Sequence, residues 1–81
     1  MILVDIQVPS INMVYDFELD EETPAGELVR EAAETIAEKE RLGYSAEEGM
    51  HLYAMNHEKI LNDAYSLKQQ GIRSGEKLVL I

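Results

Sequence analysis

The chain has no cysteine. That excludes a disulfide framework, a thiolate metal site and a cysteine nucleophile. Long apolar runs are missing too. None approaches the roughly 20 residues needed to cross a bilayer as a helix. The opening run, residues 1–4, is too short for the core of a secretory leader and has no basic residue before it. The expected location is the cytosol, either free or held on the cytosolic side by another chain. Basic residues are scarce: 7 Lys+Arg stand against 16 Asp+Glu, a formal net charge of −9. Coulomb repulsion then argues against nucleic acid and anionic membrane surfaces as partners. No basic stripe hides within this average, since Lys39 and Arg41 alternate with Glu38 and Glu40, and Lys68, Arg73 and Lys77 are scattered. The charge suits a partner with a basic surface and equally serves solubility. The five glycines are dispersed, so no loop is built to cradle phosphate. There is no linker, repeat or low-complexity segment, and 81 residues are enough for one domain, spanning 1–81.

What is present is mostly pattern. Residues 1–8 alternate, with Ile2, Val4, Ile6 and Val8 on one face and Leu3, Asp5 and Gln7 on the other. A period of two with β-branched residues predicts a strand. Pro9, Ser10, Ile11 and Asn12 break it, because proline lacks a ladder donor and asparagine favours turns. Residues 13–19 alternate again, and Met13, Tyr15, Phe17 and Leu19 are predicted to form the inner face. The two strands make a hairpin. Thr23 and Pro24 mark a helix start, with the threonine hydroxyl as cap and the proline in the first helical position. Ala25, Leu28, Val29, Ala32, Ala33, Ile36 and Ala37 then recur at spacings of three and four, a single apolar stripe. Gly26 weakens the first turn slightly, Gly43 is the expected stop, and Arg41 suits the negative end of the helix dipole.

Beyond the helix, residues 44–49 read as a loop and 50–55 as a strand. The inner face of that strand is either Leu52 and Ala54 or Tyr53 and Met55. Residues 56–59 are a turn, Ile60 and Leu61 a very short strand, and Asn62 and Asp63 another turn. A helical turn within residues 66–72 would plug Leu67 and Ile72 into the core. Ser74, Gly75 and Glu76 make a tight turn before a last strand, 77–81, which is apolar on both faces. Such a strand belongs in the middle of a sheet. Because the helix connects the two halves, the first strand is its natural parallel neighbour. The result is an α+β domain: a mixed sheet of four to five strands with one long helix across one face, the β-grasp arrangement.

The second half carries a resemblance. Leu61, the Asn62-Asp63 turn, Ser66-Leu67, Gly71-Ile72, the Ser74-Gly75 turn and the closing apolar strand resemble the C-terminal half of ubiquitin-like proteins. Within that superfamily the chain is most similar to the YukD-like (EsaB-like) proteins of bacterial type VII secretion systems. The similarity is carried by the length, by Val4-Asp5-Ile6-Gln7-Val8, by Tyr15-Asp16-Phe17-Glu18-Leu19 and by an end on Leu78-Val79-Leu80-Ile81. The resemblance implies an accessory or regulatory component of the secretion machine. Its partner would be a membrane or cytosolic protein of that machine, with no membrane insertion of its own. Ubiquitin and the sulfur carriers of this fold end in a thin Gly-Gly tail whose carboxylate reacts; here no Gly-Gly occurs, and conjugation is not expected. A longer reading frame would revive a modifier or sulfur-carrier role. An accessory subunit of an unrelated multi-protein enzyme is the other alternative, since fold does not fix function.

Chemistry is thinly represented. His51, His57 and Glu58 could in principle form a metal or acid–base site, but their spacing matches no ligand motif and turn or sheet-surface positions account for them. Ser10, Ser45, Ser66 and Ser74 sit at turn signals and not in a nucleophile elbow. Glu27, Glu31, Glu34 and Glu38 occupy the solvent side of the helix, where spacing alone builds no calcium cage. No catalytic, cofactor or metal residue is expected. The candidate partner-binding surface is the sheet face away from the helix, where Leu3, Tyr53, Met55, Val79 and Ile81 would gather.

Overall fold

Seven-residue alternation decides the first structural unit. In the computed structural model, which describes residues 1–41 and 49–81, β1 (Ile2–Val8) and β2 (Met13–Leu19) pair antiparallel along their full length. One 3-10 turn, Pro9–Ile11, joins them, and Asn12 closes it in the left-handed region at φ 54°. Asparagine tolerates that conformation better than most residues. Val4, Ile6, Val8, Tyr15 and Leu19 are buried, as the alternation requires, and Phe17 packs half-buried against them. Met13 departs from the expectation. It lies at the end of the edge strand, opposite Val8, and stays 40% exposed.

The helix α1 (Ala25–Glu40) buries Ala25, Leu28, Val29, Ala32, Ala33 and Ile36. Three of these six are alanines, small enough to let the helix lie close to the sheet. Ala37, the last member of the predicted stripe, is only half-buried. The start differs from the sequence expectation. Pro24 is the capping position, and no side chain caps the helix, so Thr23 does not play that part. Instead, the first two free amides donate to carbonyls of a distant loop, Ala25 N to Tyr65 O at 2.8 Å and Gly26 N to Asp63 O at 3.0 Å. These donors are satisfied through tertiary structure and not by the hydroxyl the local sequence offered. The helix ends at Glu40, and Arg41 takes the left-handed capping position at φ 55°. Gly43, the expected stop, and most of the loop predicted for 44–49 lie outside the described residues.

The sheet is completed by β3 (Leu52–Ala54), β4 (Lys59–Ile60) and β5 (Lys77–Leu80), in the order β2-β1-β5-β3-β4. The apolar β5 is central, parallel to β1 and antiparallel to β3. Leu52 and Ala54 are the buried pair, so Tyr53 and Met55 face away from the helix. Beyond β3, His51 and Ile81 still exchange two backbone hydrogen bonds. Leu67 and Ile72 are buried and close the core's open end. They are held by a hydrogen-bonded turn in which Ile72 N donates to Leu67 O. The fold is therefore α+β, a mixed five-stranded sheet with one helix across one face.

Candidate functional site

The helix covers one face of the sheet, the other is left bare by the described residues, and strand register decides what that bare face displays. Val14 lies opposite Gln7, Gln7 beside Val79, Val79 opposite Tyr53, and Tyr53 opposite Ile60. Those five residues form one row crossing all five strands. Four of the five are apolar. Side chains directly opposite on one face lie about 5 Å apart, so the row is a continuous strip. The next row runs Asp16, Asp5, Lys77 and Met55. A third holds Glu18 opposite Leu3.

Each residue of the sequence-derived surface can now be located. Tyr53 and Val79 are neighbours at the centre of the strip and half-buried. Met55 flanks them in the next row, 44% exposed. Leu3 and Ile81, each 52% exposed, sit at opposite ends: Leu3 beside the Ser74-Gly75 turn, Ile81 beside His51. The structure therefore brings Tyr53, Val79 and Met55 together and leaves Leu3 and Ile81 at the margins. Sequence reasoning missed Val14 and Ile60, 59% and 55% exposed. Parity could have found Val14, because it shares its face with Asp16 and Glu18. Nothing local could have found Ile60, since a two-residue strand has no alternation to read.

The bare face also carries an electrostatic feature. Asp5 and Asp16 are direct cross-strand partners on it. The pKa of Asp16 is raised from its ordinary value, first because its protonated form can hydrogen-bond Asp5 and then because the Asp5 charge repels a second one. Lys77 is the register partner of Asp5 on its other side. Among the described residues, no ion pair joins Lys77 to either carboxylate. A groove of about 170 Å³ runs here, lined by Asp5, Gln7, Val14, Lys77 and Leu78.

The histidines serve structural contacts. His57 Nε2 lies 2.8 Å from Glu76 Oε1, while the other oxygen of that carboxylate accepts from Arg73 N at 3.1 Å. His51 Nδ1 is 3.7 Å from an Asp63 carboxylate oxygen, with both side chains substantially exposed. His51 and Asp63 border a depression of about 490 Å³ next to the first turns of the helix. Glu58 occupies the turn before β4 in the left-handed region. Among the described residues no three His, Asp or Glu side chains gather as metal donors, and no helix is long and apolar enough to cross a membrane.

Comparisons with known proteins agree with this geometry. The sequence matches the family described as WXG100 protein secretion system (Wss), protein YukD, over residues 3–80. No curated relative matches the sequence. Among solved structures, the chain resembles the ubiquitin-like domain of an Arabidopsis thaliana protein, with 20% identity and a TM-score of 0.74 over 99% of this chain and 74% of that one. It resembles the UBL domain of Plasmodium falciparum Dsk2, with 20% identity and a TM-score of 0.71 over 99% and 97%. A chain of the MycP5-free ESX-5 inner membrane complex matches with 16% identity and a TM-score of 0.77 over 99% of this chain and 20% of that larger one. At such identities the likeness establishes a shared ubiquitin-like fold. The match across nearly the whole sequence establishes more: the chain belongs to the YukD family of the WXG100 protein secretion system.

Proposed function

We propose that this protein is a non-catalytic interaction module, an accessory or regulatory component of a type VII secretion system, that binds a protein partner non-covalently through its bare sheet face. The observation that carries the reading is the apolar strip Val14, Val79, Tyr53 and Ile60, interrupted only by Gln7, on a face no other element of the described chain covers. Exposed aromatic and aliphatic side chains in one contiguous patch are interface material. Family membership supports the secretion context, and the fold shared with a chain of an inner membrane complex supports a partner within such a machine. The module would work in the cytoplasm and reach the membrane through that partner. Among the described residues no nucleophile–base pair is held in a cavity, which favours binding over catalysis.

The test is a tagged pull-down from the native organism under native and denaturing conditions, read by mass spectrometry. Secretion-machine proteins captured only under native conditions, and lost with Val79→Asp or Tyr53→Asp while circular dichroism stays native, support the proposal. Should an aspartate variant unfold, Tyr53→Ser replaces it. Covalent high-mass species that survive denaturation, or capture indifferent to these substitutions, overturn it.

A further inference from the structure

The sheet has two edges, and they are unlike. β4 offers two residues, too short to template another strand. β2 offers seven, paired to β1 residue for residue and without a proline. The direction of its backbone groups follows from β1. Asp5 N donates to Glu76 O, and Leu3 O accepts from Gly75 N. The odd-numbered residues of β1 therefore turn their backbone toward β5, and the even-numbered ones toward β2. In an antiparallel pair the register partner shares that choice. Tyr15, Phe17 and Leu19, opposite Ile6, Val4 and Ile2, bond to β1. Val14, Asp16 and Glu18, opposite Gln7, Asp5 and Leu3, each aim one N–H and one C=O away from the sheet. Among the described residues, no backbone hydrogen bond reaches these outward groups. Such a row of free donors and acceptors is a template for one more strand.

The side chains along the edge select the strand that fits. An added antiparallel strand places one residue directly opposite each of Val14, Asp16 and Glu18, on the bare face. The residues between them fall on the helix side, opposite Tyr15 and Phe17. Among the described residues no ion pair engages Asp16 or Glu18, so basic residues opposite them gain two cross-strand charge pairs. Phe17 packs half-buried against the core from this edge, and an apolar residue opposite it covers the surface that remains. A second copy of this chain meets neither condition. Antiparallel pairing about Asp16 would set Asp16 against Asp16, and each chain carries a net charge of −9. We propose that β2 is a docking edge, onto which a protein partner adds an antiparallel strand with basic residues at alternate positions and an apolar residue between them. This claim is separate from the apolar strip: it needs the backbone of β2, whereas the strip needs Val79 and Tyr53.

The test uses the full chain and the peptide acetyl-Thr-Lys-Val-Arg-Thr-Val-Thr-amide, which sets its lysine opposite Glu18 and its arginine opposite Asp16. Binding is followed by NMR together with amide hydrogen exchange. The peptide should slow exchange at Val14, Asp16 and Glu18, with far less effect at Tyr15 and Phe17, which are already bonded to β1. Glutamate in both basic positions should weaken binding at least about tenfold. N-methylation of the peptide's arginine, which removes the donor to Asp16 O, should do the same. Asp16→Lys/Glu18→Lys should reverse the preference between the basic and acidic peptides. Should that variant unfold, Asp16→Asn/Glu18→Gln replaces it and should abolish the preference. Val79→Asp should not weaken the basic peptide. Unslowed exchange at the three edge amides with millimolar peptide, or indifference to charge or to N-methylation, overturns the proposal. Shifts centred on Val79 and Tyr53 with the edge unslowed mean that the peptide lies on the strip: the edge fails while the bare-face reading stands. Protection of the same three amides that rises with concentration in the chain alone makes a second copy the occupant, which also overturns it.

Discussion

At the scale of single residues, two positions show how neighbours reverse a local expectation. Gly26 sits in the first helical turn, where alanine would ordinarily add about 0.5–1 kcal/mol. A Cβ at Gly26 would lie 3.0 Å from Asp63 Cβ and 3.2 Å from Asp63 O. That carbonyl accepts the Gly26 amide at 3.0 Å. The missing side chain is thus what lets the loop reach the helix end, and Gly26→Ala is expected to lower stability by about 1 kcal/mol in urea melts instead of raising it. Asp16 is the second. Its pKa is raised from 3.8 by Asp5, so the folded chain holds the proton to higher pH than the unfolded chain does. Stability from this group is therefore present at low pH and lost as pH rises through the folded pKa. Asp16→Asn should be more stable than the parent at neutral pH. Its advantage should shrink as pH falls toward 4, measurable by melts across that range. A constant advantage at every pH would contradict the cross-strand repulsion.

At the scale of elements, the segment between β4 and β5 has almost no regular structure yet supports both the helix start and the core. Gln70 is its hub. Its side-chain amide donates to Asn62 O and Tyr65 O, and its carbonyl accepts from Asn62 N. Tyr65 O and Asp63 O in turn accept the first helical amides. Gln70→Ala should cost about 1–2 kcal/mol and speed amide exchange at Ala25 and Gly26, which it does not touch. Unchanged exchange there would show the loop and the helix start to be uncoupled. Leu67, fully buried from the same segment, should cost about 2–5 kcal/mol when cut to alanine. The two long strands, the helical stripe and the buried Leu67 and Ile72 were legible in the sequence because each is a periodic or punctuated pattern. The helix cap was not. Thr23 looked like a cap by type, but Asp63 and Tyr65, some 40 residues away, supply the acceptors, and no local rule reports that. The inner face of β3 was undecided for a related reason: three residues are too few for a period.

At the scale of the whole molecule, the net charge of −9 is self-repulsion spread over a small surface. Screening reaches a length of about 8 Å at physiological ionic strength. Moderate sodium chloride should therefore raise the melting temperature, and by less in a variant with Asp16 and Glu18 neutralised. A falling melting temperature would mean that attractive surface pairs such as Lys68–Glu22, at 3.5 Å, outweigh the repulsion. Such exposed pairs contribute at most about 1 kcal/mol each.

By itself the sequence determined the class of fold: period-two and period-3.6 patterns dictate which side of each element is apolar, and a strand apolar on both faces dictates the middle of the sheet. It also determined that a bare sheet face would carry Tyr53 or its neighbours, but not which. Only the tertiary structure decided which residues the bare face aligns. Register set Val14, Gln7, Val79, Tyr53 and Ile60 in one row, and set Asp5 against Asp16 beside it. Those residues come from five strands distributed over nearly the whole chain. Their alignment depends on how each strand slides against the next, and a shift of one residue would turn every side chain of a strand to the other face.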